Sequence, residues 1–218
     1  MKKLRARQPD DKQERRAAIM AAGLELWNET TWTDFTMSAV AERAGIVKGT
    51  VYLYFATKEQ LFLALIEELL TEYFDDVDAA LSEGGRWTKS RVVRALADAT
   101  DGRESLARML GVLGSILEHN ISYDSALVFK RLTLARFTKT GALLAQRLPF
   151  VRTHEAVQLI ARMSAFVTGL GHMAFPAPVI EQVFAREEAL RPLQVNFKAE
   201  LAATLATMLD GVERRKKR

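Results

Sequence analysis

The chain has 218 residues, 49% of them apolar and 27% charged, with a formal net charge of +4 and a pI near 9.4. That is enough apolar material for one large domain or two small ones, and the mild basicity permits nucleic acid as a partner without requiring it. The absence of cysteine excludes disulfides and thiolate metal sites; no run approaches the roughly 18 apolar residues of a membrane span, and no apolar segment follows the basic N-terminus as in a secretory signal, so a soluble, cytoplasmic chain without a membrane partner is expected.

Helical periodicity recurs along the whole chain, while sustained period-2 alternation does not, which predicts an all-α fold. Lys2, Lys3, Arg5 and Arg7 crowd the start and residues 214–218 are all basic. Both runs read equally as solvated tails or as arms toward an anionic partner. The first helix is expected over 11–29, with Ile19, Met20, Gly23, Leu24 and Trp27 on one face. Thr36 suits the N-cap of a short helix over 37–44, and Gly45 suits its end. A very short helix follows around 48–54. Thr57-Lys58-Glu59-Gln60 has the pattern of a capping box, with Gln60 reaching back, and opens a long amphipathic helix to about 81. Gly84-Gly85 breaks the pattern. Further helices are predicted near 88–99, 103–119, 124–148, 153–174, 179–189 and 193–213, with Pro149, Pro176 and Pro178 as stops.

Residues 36–55 carry the functional signal. Two short helices joined by a glycine-containing turn make a helix-turn-helix, whose second helix lies in the major groove of DNA. Lys48, Gly49, Thr50, Tyr52 and Tyr54 supply small size and hydrogen-bond donors within a turn and a half, as contact with phosphates and base edges requires. Helices this short need tertiary support, which Val40, Ala44, Val51 and Phe55 can supply.

The strings Thr36-Met37-Ser38-Ala39-Val40-Ala41-Glu42-Arg43-Ala44-Gly45-Ile46, Lys48-Gly49-Thr50-Val51-Tyr52-Leu53-Tyr54-Phe55 and Lys58-Glu59-Gln60-Leu61 resemble the tetracycline-repressor (TetR) family over about residues 12–65. The resemblance implies an N-terminal three-helix head (1–57) that binds DNA, joined by a long helix to a helical effector-binding and dimerisation body (58–218). It also implies that Thr36 bonds a phosphate, that Lys48, Gly49 and Thr50 enter the major groove, that Tyr52 and Tyr54 contact phosphate or base edges, and that Lys58 adds a charge contact. The basic N-terminal residues would reach backbone or minor groove. Two positions depart from the family pattern. Thr31 replaces the usual glycine, and a β-branched residue suits positive φ poorly, so a different turn is expected. Val47 stands where serine often caps the recognition helix. Valine cannot cap, which costs about 1 kcal/mol locally, or it sets an apolar contact against a thymine methyl.

In the body, the segment 153–174 is apolar almost all round and must be covered on more than one side. Gly169 and Gly171 permit close helix approach, and Phe197, Leu201, Leu205, Met208 and Val212 form a stripe on the last helix. These are the expected dimer-interface residues, since a palindromic operator demands two-fold symmetry. Trp87, Met109, Leu113, His119, Tyr123, Phe129, Phe137, Met163, Phe166 and His172 are candidates for a pocket holding a small hydrophobic or aromatic effector. No catalytic constellation, metal spacing or cofactor fingerprint is present: His119, His154 and His172 lie far apart, and P-loop, dinucleotide and nucleophile-elbow motifs are missing. The expected function is therefore a ligand-responsive transcription regulator, a repressor by family default, rather than an enzyme. The competing reading is a helical adaptor that binds only protein.

Overall fold

The computed structural model describes residues 9–115 and 117–217. The first four helices are α1 (Pro9–Glu29), α2 (Met37–Arg43), α3 (Lys48–Tyr52) and α4 (Lys58–Ser82). The body continues with α5 (Lys89–Asp98), α6 (Glu104–Ser115), α7 (Tyr123–Arg147), α8 (Thr153–Ala174), α9 (Pro178–Arg186) and α10 (Phe197–Lys216). Short 3-10 turns cover Leu117–His119 and Glu188–Leu193. No strand occurs among the described residues. The basic residues Lys2, Lys3, Arg5, Arg7 and Arg218 lie outside the described residues. The rest of the C-terminal run is not a frayed tail: it closes α10, with Lys216 paired to Glu155 at 3.1 Å and Lys217 to Glu213 at 2.8 Å.

Side-chain caps fix several helix starts, Thr57 among them as expected. The hydroxyls of Thr57 and Thr88, and the Asn196 side-chain carbonyl, each accept from the backbone amide three residues on. Two boundaries differ from expectation. The helix predicted over 103–119 stops at Ser115, where Gly111 and Gly114 weaken it. The last helix begins at Phe197 rather than 193, because Pro192 closes the preceding 3-10 turn and Asn196 offers the cap.

Helix α4 is the axis of the molecule. Leu61, Phe62, Leu65, Ile66, Phe74, Val77 and Leu81 are all but inaccessible along its length. Its first turns pack on α1, and its later turns on α5, α6 and α7. Phe62 is the hub of an aromatic cluster, with centroids 4.8 Å from Trp27, 5.0 Å from Trp32 and 5.4 Å from Phe35. In the body, α8 packs on α6, α7 and α10, and α10 also packs on α5. Asp78 of α4 is buried, yet its oxygens accept from the Thr140 hydroxyl at 2.6 Å and pair with Lys139 at 2.9 Å, locking α4 to α7. No single helix among the described residues is long and apolar enough to cross a membrane; α8 and α9 reach that composition only together, and they bend by 62° at their junction.

Candidate nucleic-acid interface and effector cavity

Helix α2 is set by both its ends. The Thr36 hydroxyl accepts from the Ala39 amide at 3.2 Å. At the other end Gly45 takes φ +64, its amide donates to Glu42 and the Ile46 amide donates to Ala41. This is a Schellman closure, and it turns the chain directly into α3. Arg43 forks onto Glu29 at 2.8 and 2.5 Å, tying α2 to the end of α1. The pair holds the Glu29 carboxyl below its ordinary value, chiefly through the Arg43 hydrogen bond. The turn before α2 is closed by Thr31 itself. Thr31 takes no positive φ; its carbonyl accepts from Asp34 and Phe35, and its hydroxyl donates to the Asp34 carboxylate at 2.9 Å.

Helix α3 has only five residues and is held by buried Val51, with Phe55 just beyond it. Opposite Val51, at about 100° per residue, lie Gly49 and Leu53, with Tyr52 on one flank. Gly49 is the outermost point, and a Cβ placed there would meet nothing within 4 Å. Lys48 and Tyr52 are exposed, with the ammonium 6.0 Å from the ring centroid. Thr50 is half-buried on the flank. Val47 is the N-cap residue, with no capping bond and 74% of its surface exposed. Two of the implied contact residues also engage the chain itself. Tyr54 is half-buried against the core. Lys58 donates to the Trp32 carbonyl at 3.1 Å and lies 4.1 Å over the Trp32 ring, so it staples α4 to the turn before α2.

The pocket and interface expectations fare differently. One small, mainly apolar cavity of about 40 Å³ lies among α4, α6, α8 and α10, lined by residues including Leu70, Tyr73, Phe74, Leu106, Leu110, Met163, Val167 and Phe197. Of the ten pocket candidates it takes only Met163. Phe137 stands behind it, tilted against Phe74 with ring centroids 5.6 Å apart. Met109 and Phe129 are core, and Leu113 packs half-buried against that core. His119, Tyr123, Phe166 and His172 are exposed. Trp87 lies between the guanidinium groups of Arg91 and Arg147, 4.1 and 5.2 Å from its ring. The stripe on α10 also turns inward. Leu201, Leu205 and Val212 are buried within the chain, Met208 packs half-buried on the core, and Phe197 lines the cavity. Gly171 serves the chain itself, since a Cβ there would lie 3.0 Å from the Ala107 carbonyl oxygen of α6. Among the interface candidates only Gly169 faces open space. Periodicity located the apolar faces but not the neighbours they meet.

Sequence reasoning missed Arg103 and Leu53. Arg103 lines the cavity from the turn between α5 and α6. It donates to the Ala99 carbonyl at 2.7 Å and to Asp76 at 2.5 Å, while its buried Nε has no hydrogen-bond partner. Nothing in its local sequence marks it, because the cavity is assembled from helices far apart in the chain. Leu53 lies inside the motif and is 78% exposed, which an apolar residue in a helical pattern does not announce.

Residues 19–65 match the family described as bacterial regulatory proteins, tetR family, and residues 67–216 match the tetracyclin repressor-like C-terminal domain. The Fatty acid metabolism regulator protein of Bacillus subtilis is 29% identical over 65 residues, which are 30% of this chain and 34% of that protein. The chain spans less than half the length of the curated relatives it matches. The fatty acid degradation regulator FadR of Bacillus halodurans has a similar structure, with TM-score 0.59 at 17% identity over 89% of this chain and 97% of that one. FadR of Bacillus subtilis in complex with stearoyl-CoA gives TM-score 0.56 at 15% identity, over 88% of this chain and 96% of that one. Together the two family matches cover nearly the whole chain, and the protein belongs to the TetR family of bacterial regulatory proteins.

Proposed function

We propose that this protein is a cytoplasmic, homodimeric repressor that binds a palindromic operator through α3 and leaves it when a hydrophobic effector enters the body. The head comprises residues 1–57 and the effector-binding and dimerisation body residues 58–218. The observation that carries the reading is the outward face of α3: glycine at its outermost point, with Lys48 and Tyr52 beside it, on a helix pinned by Val51. That shape lets backbone approach the groove floor while charged and hydroxyl groups reach phosphates or base edges. Thr36 accepts from a backbone amide and keeps its own proton for a phosphate. Tyr54 and Lys58 bear on the backbone from the edge of this surface, and Thr50 from its flank.

The second subunit is expected on the outward side of α8 together with α9. Helix α9 has no buried residue, yet it exposes Val179, Ile180 and Val183, and α8 exposes Phe166 and Met173 nearby in sequence. Exposed apolar surface of this extent marks an interface.

For the effector, the apolar lining suits an acyl chain like that of the stearoyl-CoA held by FadR of Bacillus subtilis. Arg103 Nε would donate to its anionic end. A cavity of about 40 Å³ is far below the roughly 300 Å³ of the smaller ligand pockets, so binding must move the walls. Besides α4, helix α6 is a cavity wall joined to the head. The Ser105 carbonyl accepts from Trp27 Nε1 at 3.3 Å, and Arg108 donates to the Thr30 carbonyl at 3.0 Å with its guanidinium 4.8 Å from the Trp27 ring. A shift of α6 therefore repositions α1 and with it the spacing of the two recognition helices. The effector biases that equilibrium only by its differential affinity for the two states.

The test is selection of bound fragments from a random-sequence DNA pool, followed by release of the bound operator with stearate or stearoyl-CoA. Enrichment of two matched half-sites, with affinity falling steeply as salt rises, is the expected result. Absence of enrichment at low salt from folded protein overturns the reading and favours a protein-binding adaptor. Enrichment without release by either acyl compound overturns the effector class alone.

A further inference from the structure

Among the described residues of α1–α3 and their turns, the large apolar side chains left exposed all fall in one stretch, 47–53. Val47 is 74% exposed, Tyr52 45% and Leu53 78%. Tyr52 has a hydroxyl to hydrate and the Lys48 ammonium near its ring. Val47 and Leu53 have no polar atom. They occupy the N-cap and C-cap of α3, one at each end of the helix. A single exposed leucine needs no explanation. Two aliphatic side chains bracketing the most outward helix of a DNA-binding head do.

On the base edges of the major groove the apolar group is the thymine C5-methyl. We propose that Val47 and Leu53 are specificity-determining residues, each reading a thymine methyl in every half-site. The proposal rests on the operator-binding reading above and extends it to what the operator contains. Six residues at a helical rise of 1.5 Å separate the two by about 9 Å, between two and three base steps of about 3.4 Å. Each half-site therefore carries two methyl-bearing positions two or three base pairs apart. Neither side chain can hydrogen-bond, so each senses the methyl itself and not O4 or N4. A 5-methylcytosine at the same position restores part of the contact that cytosine lacks.

The experiment uses the operator recovered from the random pool. Each thymine is replaced in turn by deoxyuridine, symmetrically in both half-sites, which removes only the methyl and keeps base pairing. At fixed salt, two positions are expected to weaken binding, by about fourfold for each methyl lost and so more than tenfold across the palindrome. Val47→Ala should abolish the uracil effect at one position and Leu53→Ala at the other. Both variants should keep the wild-type melting temperature, since neither side chain is buried. Uniform tolerance of deoxyuridine, or a methyl effect that survives both substitutions, overturns the proposal and leaves operator binding intact. Failure to select any operator overturns the DNA-binding reading and this inference with it.

Discussion

The head and the body of this protein solve the same packing problem over different distances along the chain. In the head, the partners are close in sequence: Arg43 reaches back 14 residues to Glu29, and Gly45 and Ile46 close α2 through bonds to Glu42 and Ala41. In the body, Lys89 of α5 bonds Glu213 of α10 across 124 residues, and Arg147 reaches the Leu81 carbonyl across 66. A residue in the head thus carries its role in its neighbourhood. A residue in the body acquires its role from whichever distant helix happens to face it.

The largest effect should come where the two regions meet. Phe62 belongs to α4 but is enclosed by the head's Trp27, Trp32 and Phe35. Replacing it with alanine leaves a cavity at the centre of the cluster, with an expected loss of about 3–5 kcal/mol in urea unfolding. A loss below about 1 kcal/mol would mean that the aromatic rings collapse into the gap, and that the head is not anchored by this hub.

A smaller effect separates two glycines that the sequence treats alike. Gly171→Ala pushes a Cβ to 3.0 Å from the Ala107 carbonyl oxygen, which belongs to backbone and cannot swing aside. Destabilisation of about 1–3 kcal/mol is expected. Gly169→Ala meets open space within the chain and should stabilise α8 by about 0.5–1 kcal/mol through helix propensity. Equal responses in thermal melts would contradict the α6–α8 approach. The pair shows how far the sequence could be read. The helical class, nine of the ten α-helices among the described residues to within about two residues at their starts, and the helix-turn-helix of α2 and α3 were legible because caps, glycine turns and 3.6-residue periodicity are local. Burial of the α10 stripe against α5 and α8 was not, because periodicity reports that a face is apolar and says nothing about whether its cover comes from the same chain or another. The cavity failed for the same reason: Phe74, Leu110, Met163 and Phe197 meet only after four helices are assembled.

Acid should act more on the body's closing helix than on the recognition surface. The Glu213 carboxyl is held at about 2, far below its ordinary 4.5, by the Lys217 hydrogen bond first and that of Lys89 next. Glu155 is lowered too, chiefly by the Arg152 amide and then by Lys216. A depressed carboxyl stabilises the fold fully above its unfolded value, and that stabilisation is lost as pH falls from about 4.5 toward 2. Melting temperature should therefore drop through this window. In Glu213→Gln the drop should be shallower, and the difference between the two proteins should shrink in high salt, because these half-buried pairs are still reached by solvent. An unchanged acid slope in the variant would remove Glu213 from the account.

The smallest effect on stability concerns the residue with the largest expected effect on recognition. Val47 holds extended N-cap angles, φ −73 and ψ 143, without offering a side-chain acceptor to the first turn of α3. Serine in the same conformation can accept from an α3 amide, a gain of about 0.5–1 kcal/mol. In a chain of this size that raises the melting temperature by about 2–4 °C at most. The same substitution removes an aliphatic surface from the groove-facing end of α3 and puts a hydroxyl there, so the operator selected by Val47→Ser should differ at the position that this side chain meets. A more stable protein with an altered operator would show that valine is kept there for what it touches outside the molecule. A more stable protein with an unchanged operator would make Val47 only a poor cap, and would leave Leu53 as the single apolar reader on the helix.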